Sequence, residues 1–455
     1  MPKLPTACVI GAGSSGIAAV KTLTQRGFDV ECFEKSDRVG GNWVFKNANG
    51  MSASYSTLHI NTSRERMEYT DFPMPKSYPD FPHHTHIAKY FDDYVDHFGF
   101  RDRIRFQTGV ERAEKQADGT FAVTDDTGAT HRYDALFVAN GHHWDARWPE
   151  PAFEGHDTCD IEQIHAHQYV DPKQLEGKDV VVLGMGNSAM DIAVDASNVA
   201  KSTHLAARRG AHIIPKYIYG RPMDQIGADP RVPFAVRRKI FQGLLRVYQG
   251  DMERYGLPKP DHRFGDAHPT ISGRILDRLA HGAVTAKPNI ARLEGDRVHF
   301  TDGSSVRADL VVYCTGYKVT FPFFDPTFVS APENDLPLFR RVFHPEHRNL
   351  FFVGLLQPLG AIMPLAQAQS EWVADYLAGR YHLPSATAQR ADMAAERRRM
   401  FKRYVKSKRH TMQVDFEDYL VALEKERAKG AERARAAGHA LPVAPQAEAA
   451  GALAA

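Results

Sequence analysis

An α/β fold of two doubly wound units, the second inserted within the first, is what this sequence predicts, and three observations predict it. Two glycine-rich loops, Gly11-Ala12-Gly13-Ser14-Ser15-Gly16 and Gly184-Met185-Gly186-Asn187-Ser188-Ala189, each follow a short apolar run and lead into a helix-like segment. Two further apolar runs, 133–141 and 309–316, echo one another in ending on glycine. At 455 residues the chain exceeds one ordinary core, and its 43% apolar content is ample for two.

Taken in order, the first unit runs from a strand at 7–10 through a helix over 15–25, stops at Gly27 and re-enters a strand at 28–33. Residues 40–82 are polar, aromatic and proline-rich, too irregular for one element and long enough to build a site. After the strand at 133–141 comes a crossover containing Trp and Pro, and the first boundary falls near Asp171. The second unit then covers 172–316, opening on a strand at 180–183 and a second one at 203–207. A strand at 350–354 and a helix over 365–377 return to the first unit, which thus comprises 1–171 and 317–430. A basic helix is expected over 388–409, and the Ala-rich 431–455 reads as a frayed, dispensable tail.

Composition removes several classes. A net charge of +2 argues against a polyanion binder, so neither nucleic acid nor a membrane surface is an expected partner. No run approaches the roughly 18 apolar residues of a membrane helix, and a cytoplasmic enzyme is the plain expectation. The four cysteines, Cys8, Cys32, Cys159 and Cys314, form no close pair, which excludes the disulfide reductases that two nucleotide sites would otherwise allow. His83-His84-Thr85-His86 lacks a carboxylate or cysteine at ligand spacing, so it reads as a surface loop and no metal is expected. The basic run 397–409 is flanked by acids and reads as a solvated helix face.

The glycines permit a tight turn and close approach of backbone N–H groups to a pyrophosphate resting on a helix N-terminus, so each unit is expected to be a dinucleotide-binding, Rossmann-like domain. The ends of the second strands differ. Glu34 follows the first loop by about twenty residues, where a carboxylate accepts ribose hydroxyls and repels a 2′-phosphate. After the second loop the equivalent strand presents Arg208 and Arg209, a fork that suits a 2′-phosphate. FAD is therefore assigned to Gly11, Gly13, Ser14, Ser15, Gly16 and Glu34, and NADPH to Gly184, Gly186, Asn187, Ser188, Ala189, Arg208 and Arg209. Ala189 replaces the third glycine, at a position that serves helix-to-strand packing and tolerates a methyl group.

Residues 34–43, Glu-Lys-Ser-Asp-Arg-Val-Gly-Gly-Asn-Trp, resemble the E-K-x-x-x-x-G-G-x-W segment of the flavin-containing monooxygenases. Asn61-Thr62-Ser63 with the Asp71-Phe72-Pro73-Met74-Pro75 stretch, the segment from Gly184 through Asp191 to Ala193, and Cys314-Thr315-Gly316-Tyr317 are similar to further motifs of that family, and the likeness runs from about 5 to 425. It points to the bacterial N- or S-oxygenating members and adds Thr62 to the FAD side and Asp191 to the NADPH side. Phe153 and Gly155 resemble the start of the family's identifier, but the stretch to His165 is six residues longer than the family spacing, a departure that could alter how the domains hinge. Tyr169 and Val170 stand where the related Baeyer–Villiger enzymes carry another pattern, which favours heteroatom oxygenation.

The resemblance implies that NADPH reduces FAD and that oxygen adds to the reduced flavin as a C4a-hydroperoxide, which a soft nitrogen or sulfur of a small amine or sulfide attacks. The protein's tasks are then positioning and exclusion of water. Asn61 is the candidate catalytic residue, because an amide donates and accepts hydrogen bonds at once; an Asx turn is its alternative reading. Asn42 and Trp43 are expected beside the isoalloxazine, with Gly41 allowing close backbone approach, and Gln357 nearby. Baeyer–Villiger oxidation of ketones, and FAD/NADPH redox chemistry without oxygenation, remain alternatives. A homodimer is the general expectation for such an enzyme.

Overall fold

The computed structural model describes residues 3–226, 234–403 and 411–445. Two five-stranded parallel sheets organise the chain. In the first, the order is Leu350–Phe352, Ala135–Val138, Ala7–Ile10, Val30–Phe33, Ile104–Arg105. In the second it is Thr285–Lys287, Ser202–Ala206, Asp179–Leu183, Leu310–Tyr313, Glu162–His165. The central strand of each carries the glycine loop, and both central strands are buried throughout. Such strands face core on both sides, which is why they read as unbroken apolar runs and not as alternation.

Each unit repeats one further feature: a three-stranded antiparallel sheet, built from 110–133 in the first and 290–307 in the second, stands just before the strand that returns to the parallel sheet. The pairing of Leu350–Phe352 with Ala135–Val138 bears the insertion out, since the chain re-enters the first sheet after completing the second. Helix Met363–Leu377 then packs on helix Ser14–Gln25, with Trp372 fully buried and Arg26 paired to Asp375.

Three expectations need correction. Glu162–His165 pairs with Leu310–Tyr313, so the second unit's sheet begins about ten residues before the expected boundary at Asp171. Four residues with only one buried side chain carry too little apolar signal to reveal a sheet-edge strand. Nor is the start of the expected tail loose. Helix Phe416–Ala436 carries Gly430 against the Tyr381 ring, where an added Cβ would lie 1.9 Å from ring carbons, and Arg433 donates to the His382 carbonyl at 2.8 Å. Alanine-rich composition suits a helix that packs closely as well as it suits a disordered tail. Residues 446–455 lie outside the described ones. Thirdly, 83–86 is no surface loop: His83 caps helix His84–Phe98, and the His84 side chain is buried.

The lengthened stretch before His165 docks on the second unit. Leu293 donates its N–H to the Glu154 carbonyl at 2.8 Å, and Asp160 donates to the Gly295 carbonyl at 2.9 Å. Gly155 has φ +80°, and a side chain there would collide with the Leu293 carbonyl at 1.8 Å. The extra residues thus edge the second domain's small sheet. The link between domains is a separate ribbon in which Asp145–Ala146 pairs with Tyr317–Lys318. The basic helix appears as Ala386–Arg403, where Arg340 and Arg341 pair with Asp392 and Glu396 of that helix; residues 404–410 are outside the described ones.

Candidate functional site

Both glycine loops open onto one cavity of about 2100 Å³. Its wall includes Gly11, Gly13, Ser14, Ser15, Glu34, Gly41, Asn42, Trp43, Asn61, Thr62 and Gln357 from the first unit. From the second it includes Gly184, Gly186, Asn187, Ser188, Ala189, Arg208 and Arg209. Of the sequence candidates only Gly16 and Asp191 are absent from the wall.

Gly16 instead serves the turn behind the wall. A Cβ there would sit 1.8 Å from the Gly11 carbonyl oxygen, and Gly11 itself has φ +97° with the Ala139 carbonyl 2.8 Å from where its Cβ would be. The turn is tight because two chain segments occupy the space a side chain would need. Gly184 repeats this with φ +148°, against the Cys314 carbonyl.

What each loop offers a ligand is the uncapped start of a helix. Gly13 caps Ser14–Gln25 and Gly186 caps Asn187–Val199, and neither supplies a side-chain oxygen to the first-turn N–H groups. Those donors face the cavity wall without an intrahelical acceptor, and the helix dipole adds positive potential, so both loops fit a dinucleotide pyrophosphate. Gly41, at φ +53°, brings its backbone so near Gly13 that a Cβ would lie 3.1 Å from the Gly13 Cα. This clears side chains from the floor between loop and cavity. Residues 11–16, Glu34 and 41–43 would hold FAD, and 184–189 with Arg208 and Arg209 would hold NADPH.

Glu34 is buried, and its two carboxylate oxygens accept the N–H groups of Ala12 and Ser36, each at 2.7 Å. Burial raises its pKa while those two N–H groups lower it. Each oxygen has a second lone pair and Glu34 lines the cavity, which leaves capacity to accept ribose hydroxyls. Arg208 is exposed at the cavity wall, and Arg209 lies 3.5 Å from Asp261. Asn187 spends its Oδ1 on the N–H of Ile271 at 2.8 Å, making it a brace as much as a contact.

The irregular stretch 40–82 builds the floor. Asn42 accepts the Ala53 N–H at 2.8 Å and so folds the following loop back on itself. Asn61 is partly buried on the wall, and among the described residues its side-chain amide makes no hydrogen bond. The Asx-turn alternative does not form: the Ser63 N–H that it would use donates to Asp224 Oδ2 at 2.7 Å. Gln357 lines the cavity from a short strand paired with Gln413–Asp415, held by its N–H to the Met412 carbonyl at 2.9 Å. Ser15 and Gly354 meet so closely that a Cβ on Gly354 would lie 1.9 Å from the Ser15 Oγ.

Asp191 lies behind the wall, where its Oδ2 accepts the Tyr55 hydroxyl at 2.6 Å. Burial pushes its carboxyl up to about 6. Sequence reasoning missed Tyr55, whose hydroxyl reaches Asp191, and Lys216 and Asp224, which meet the 55–63 segment from elements far apart in the chain. No local pattern marks them, because their partners lie more than a hundred residues away. Among the described residues no three His, Cys, Asp or Glu side chains converge as a metal site, and no helix is long and apolar enough to cross a membrane.

With this geometry in place, similarity to known proteins is informative. The family described as Flavin-binding monooxygenase-like matches residues 5–430. Flavin-containing monooxygenase 5 of Mus musculus is 35% identical over 430 residues, spanning 90% of this chain and 80% of the relative. Dimethylaniline monooxygenase (N-oxide-forming) 2 of Macaca mulatta is 31% identical over 441 residues, spanning 91% and 82%. Among solved structures, S-allyl-L-cysteine S-oxygenase from Allium sativum aligns with a TM-score of 0.70 at 25% identity, covering 94% of this chain and 89% of that one. Cyclohexanone monooxygenase from Rhodococcus bound to NADP+ shares the fold, with a TM-score of 0.70 at 19% identity and coverage of 95% and 98%.

Proposed function

The chain belongs to the flavin-binding monooxygenase-like family, and from that premise we propose that Asn61 is its catalytic amide and that a small amine or sulfide is its substrate. The enzyme is an NADPH- and oxygen-dependent flavin monooxygenase that oxygenates nitrogen or sulfur of a small molecule. The observation that carries the reading is the single cavity shared by the two uncapped helix starts, since hydride donor and flavin must meet in one space.

When bound, FAD accepts hydride from NADPH and activates oxygen. The chain's own residues bind and orient. The N–H groups at the start of helix Ser14–Gln25 and the Glu34 carboxylate hold one dinucleotide; those of helix Asn187–Val199, with Arg208 and Arg209, hold the other. Asn61 offers the cavity a donor and an acceptor on one side chain, able to hold a proton donor and a carbonyl acceptor together. Trp43 and Leu356 narrow the apolar part of the wall and help to exclude water. Placement among bacterial members, a cytoplasmic location, the absence of nucleic-acid and membrane partners, and a homodimer belong to the same proposal and rest on composition and resemblance.

The test is stoichiometry. Purified holoenzyme with NADPH, labelled oxygen and a panel of tertiary amines, thioethers and cyclic ketones is expected to give one labelled N-oxide or sulfoxide per NADPH, after free peroxide is subtracted. Labelled ester from ketones alone would move the assignment to the Baeyer–Villiger reaction, and NADPH consumption without label in any product would remove oxygenation.

A further inference from the structure

The 55–63 segment belongs to the first domain in sequence, yet its side chains and backbone are fastened to the second. Tyr55 donates to Asp191 Oδ2 at 2.6 Å, and Thr57 donates to Asp195 Oδ2 at 2.6 Å. Lys216 Nζ donates to the Ile60 carbonyl at 3.1 Å, and the Ser63 N–H donates to Asp224 at 2.7 Å. Asn61 thus sits between two anchored neighbours, its own amide free of protein partners among the described residues.

We propose that Lys216 and Asp191 are positioning residues through which the nucleotide domain sets the Asn61 amide, a proposal that rests on the reading of Asn61 as the catalytic group. Lys216 acts on the peptide that joins Ile60 to Asn61, so its ammonium fixes the plane from which the Asn61 side chain departs. Asp191 and Asp195 stand one turn apart on Asn187–Val199, the helix whose start would receive the NADPH pyrophosphate. A shift of that helix is therefore delivered to Tyr55 and Thr57, at the near end of the Asn61 segment.

The Lys216 site is built for placement at the expense of solvation. Its ammonium is half-buried, lies 4.8 Å from the centre of the Phe81 ring, and bonds a neutral carbonyl. Burial pulls its pKa down, with Asp191 opposing and Arg274 reinforcing that effect. A buried charge donating to a carbonyl costs stability relative to a solvated one, so its return is geometric. Displacement of a reacting group by about 1 Å is enough to cost on the order of a hundredfold in rate.

The experiment uses holoenzyme, NADPH and oxygen without added substrate, and reads peroxide released per minute beside the KM for NADPH. Lys216→Met and Asp191→Ala are expected to raise peroxide release about tenfold while the KM for NADPH stays within about twofold, and Lys216→Arg should return release to within about threefold of the parent. Asn61→Ala should raise release as well, and Lys216→Met should add nothing in that background, a non-additivity that a merely structural role would not give. If Lys216→Met fails to retain flavin, Tyr55→Phe carries the same comparison. Unchanged release in Asn61→Ala overturns the reading of Asn61 together with the proposal. A raised release in Asn61→Ala with no change in Lys216→Met, or with multiplying effects in the double variant, overturns the positioning role alone.

Discussion

The Glu34 carboxylate reaches back 22 residues to accept the Ala12 N–H at 2.7 Å, fastening the end of the second strand to the first glycine loop. The acid read from sequence as a ribose contact is therefore also a structural tie. Its other oxygen is engaged by Ser36 at the same distance. Glu34→Gln points an amide N–H₂ at one of these donors, and an unsatisfied buried donor costs about 1–3 kcal/mol. The variant is expected to unfold at lower temperature and to lose flavin on gel filtration, checked by thermal scanning and visible absorbance. Full flavin retention would show that the tie is dispensable.

Gly13 and Gly16 separate loop architecture from ligand contact. Gly16→Ala places a methyl group 1.8 Å from the Gly11 carbonyl, so the backbone must move, and overpacking of this kind costs about 1–3 kcal/mol. Gly13→Ala meets only the Gly41 Cα at 3.8 Å, an ordinary contact. The expected outcome is a destabilised Gly16→Ala apoprotein and a Gly13→Ala apoprotein of parental stability whose flavin affinity falls. Denaturant titration and flavin titration measure the two effects separately.

The proposed 2′-phosphate fork of Arg208 and Arg209 predicts a nucleotide preference. Replacing both by alanine is expected to raise the KM for NADPH about tenfold or more and to leave that for NADH within about twofold, as the loss of a charge-assisted hydrogen bond of about 1.5–3 kcal/mol requires. Arg209 already lies 3.5 Å from Asp261, so Arg208→Ala alone should give the larger single effect. Equal losses for both nucleotides would refute the selectivity role.

Asp191 gives a pH signature. Burial holds its carboxyl up to about 6, above the ordinary value of about 3.9, so between those limits the folded chain keeps a proton that the unfolded chain releases. Stability tied to this group is present at low pH and falls as pH rises through that window, the opposite of an ion-paired carboxylate. Around it stand Tyr55, Asp195, Lys216 and Arg274. Asp191→Asn keeps an acceptor for the Tyr55 hydroxyl but does not titrate. The parent is therefore expected to gain melting temperature relative to the variant as pH drops from about 7 to about 5. A constant difference across that range would contradict it.

The two nucleotide folds and their nesting were legible in the chain because their signals are local. A central strand buried on both faces is a continuous apolar run, and the turn after it must carry glycine where carbonyls of Ala139 and Cys314 crowd it. The strand Glu162–His165 was not legible, since a half-exposed edge strand carries no such run. The helix beyond residue 430 was hidden for a related reason, as alanine composition is silent about whether a helix finds a partner such as Tyr381.

For the site, sequence alone determined many of the wall residues, Gly16 and Asp191 among its candidates lying elsewhere, because the glycine loops and the strand ends that carry them are fixed locally. Asn61, Glu34, Gln357 and the two arginines all reach that wall. Only the tertiary structure decided who holds Asn61: Lys216, Asp191 and Asp224 meet its segment from partners 136 to 161 residues away. Hydrogen bonds between segments so far apart depend on how two domains pack, and nothing in the spacing of either segment encodes the other's position.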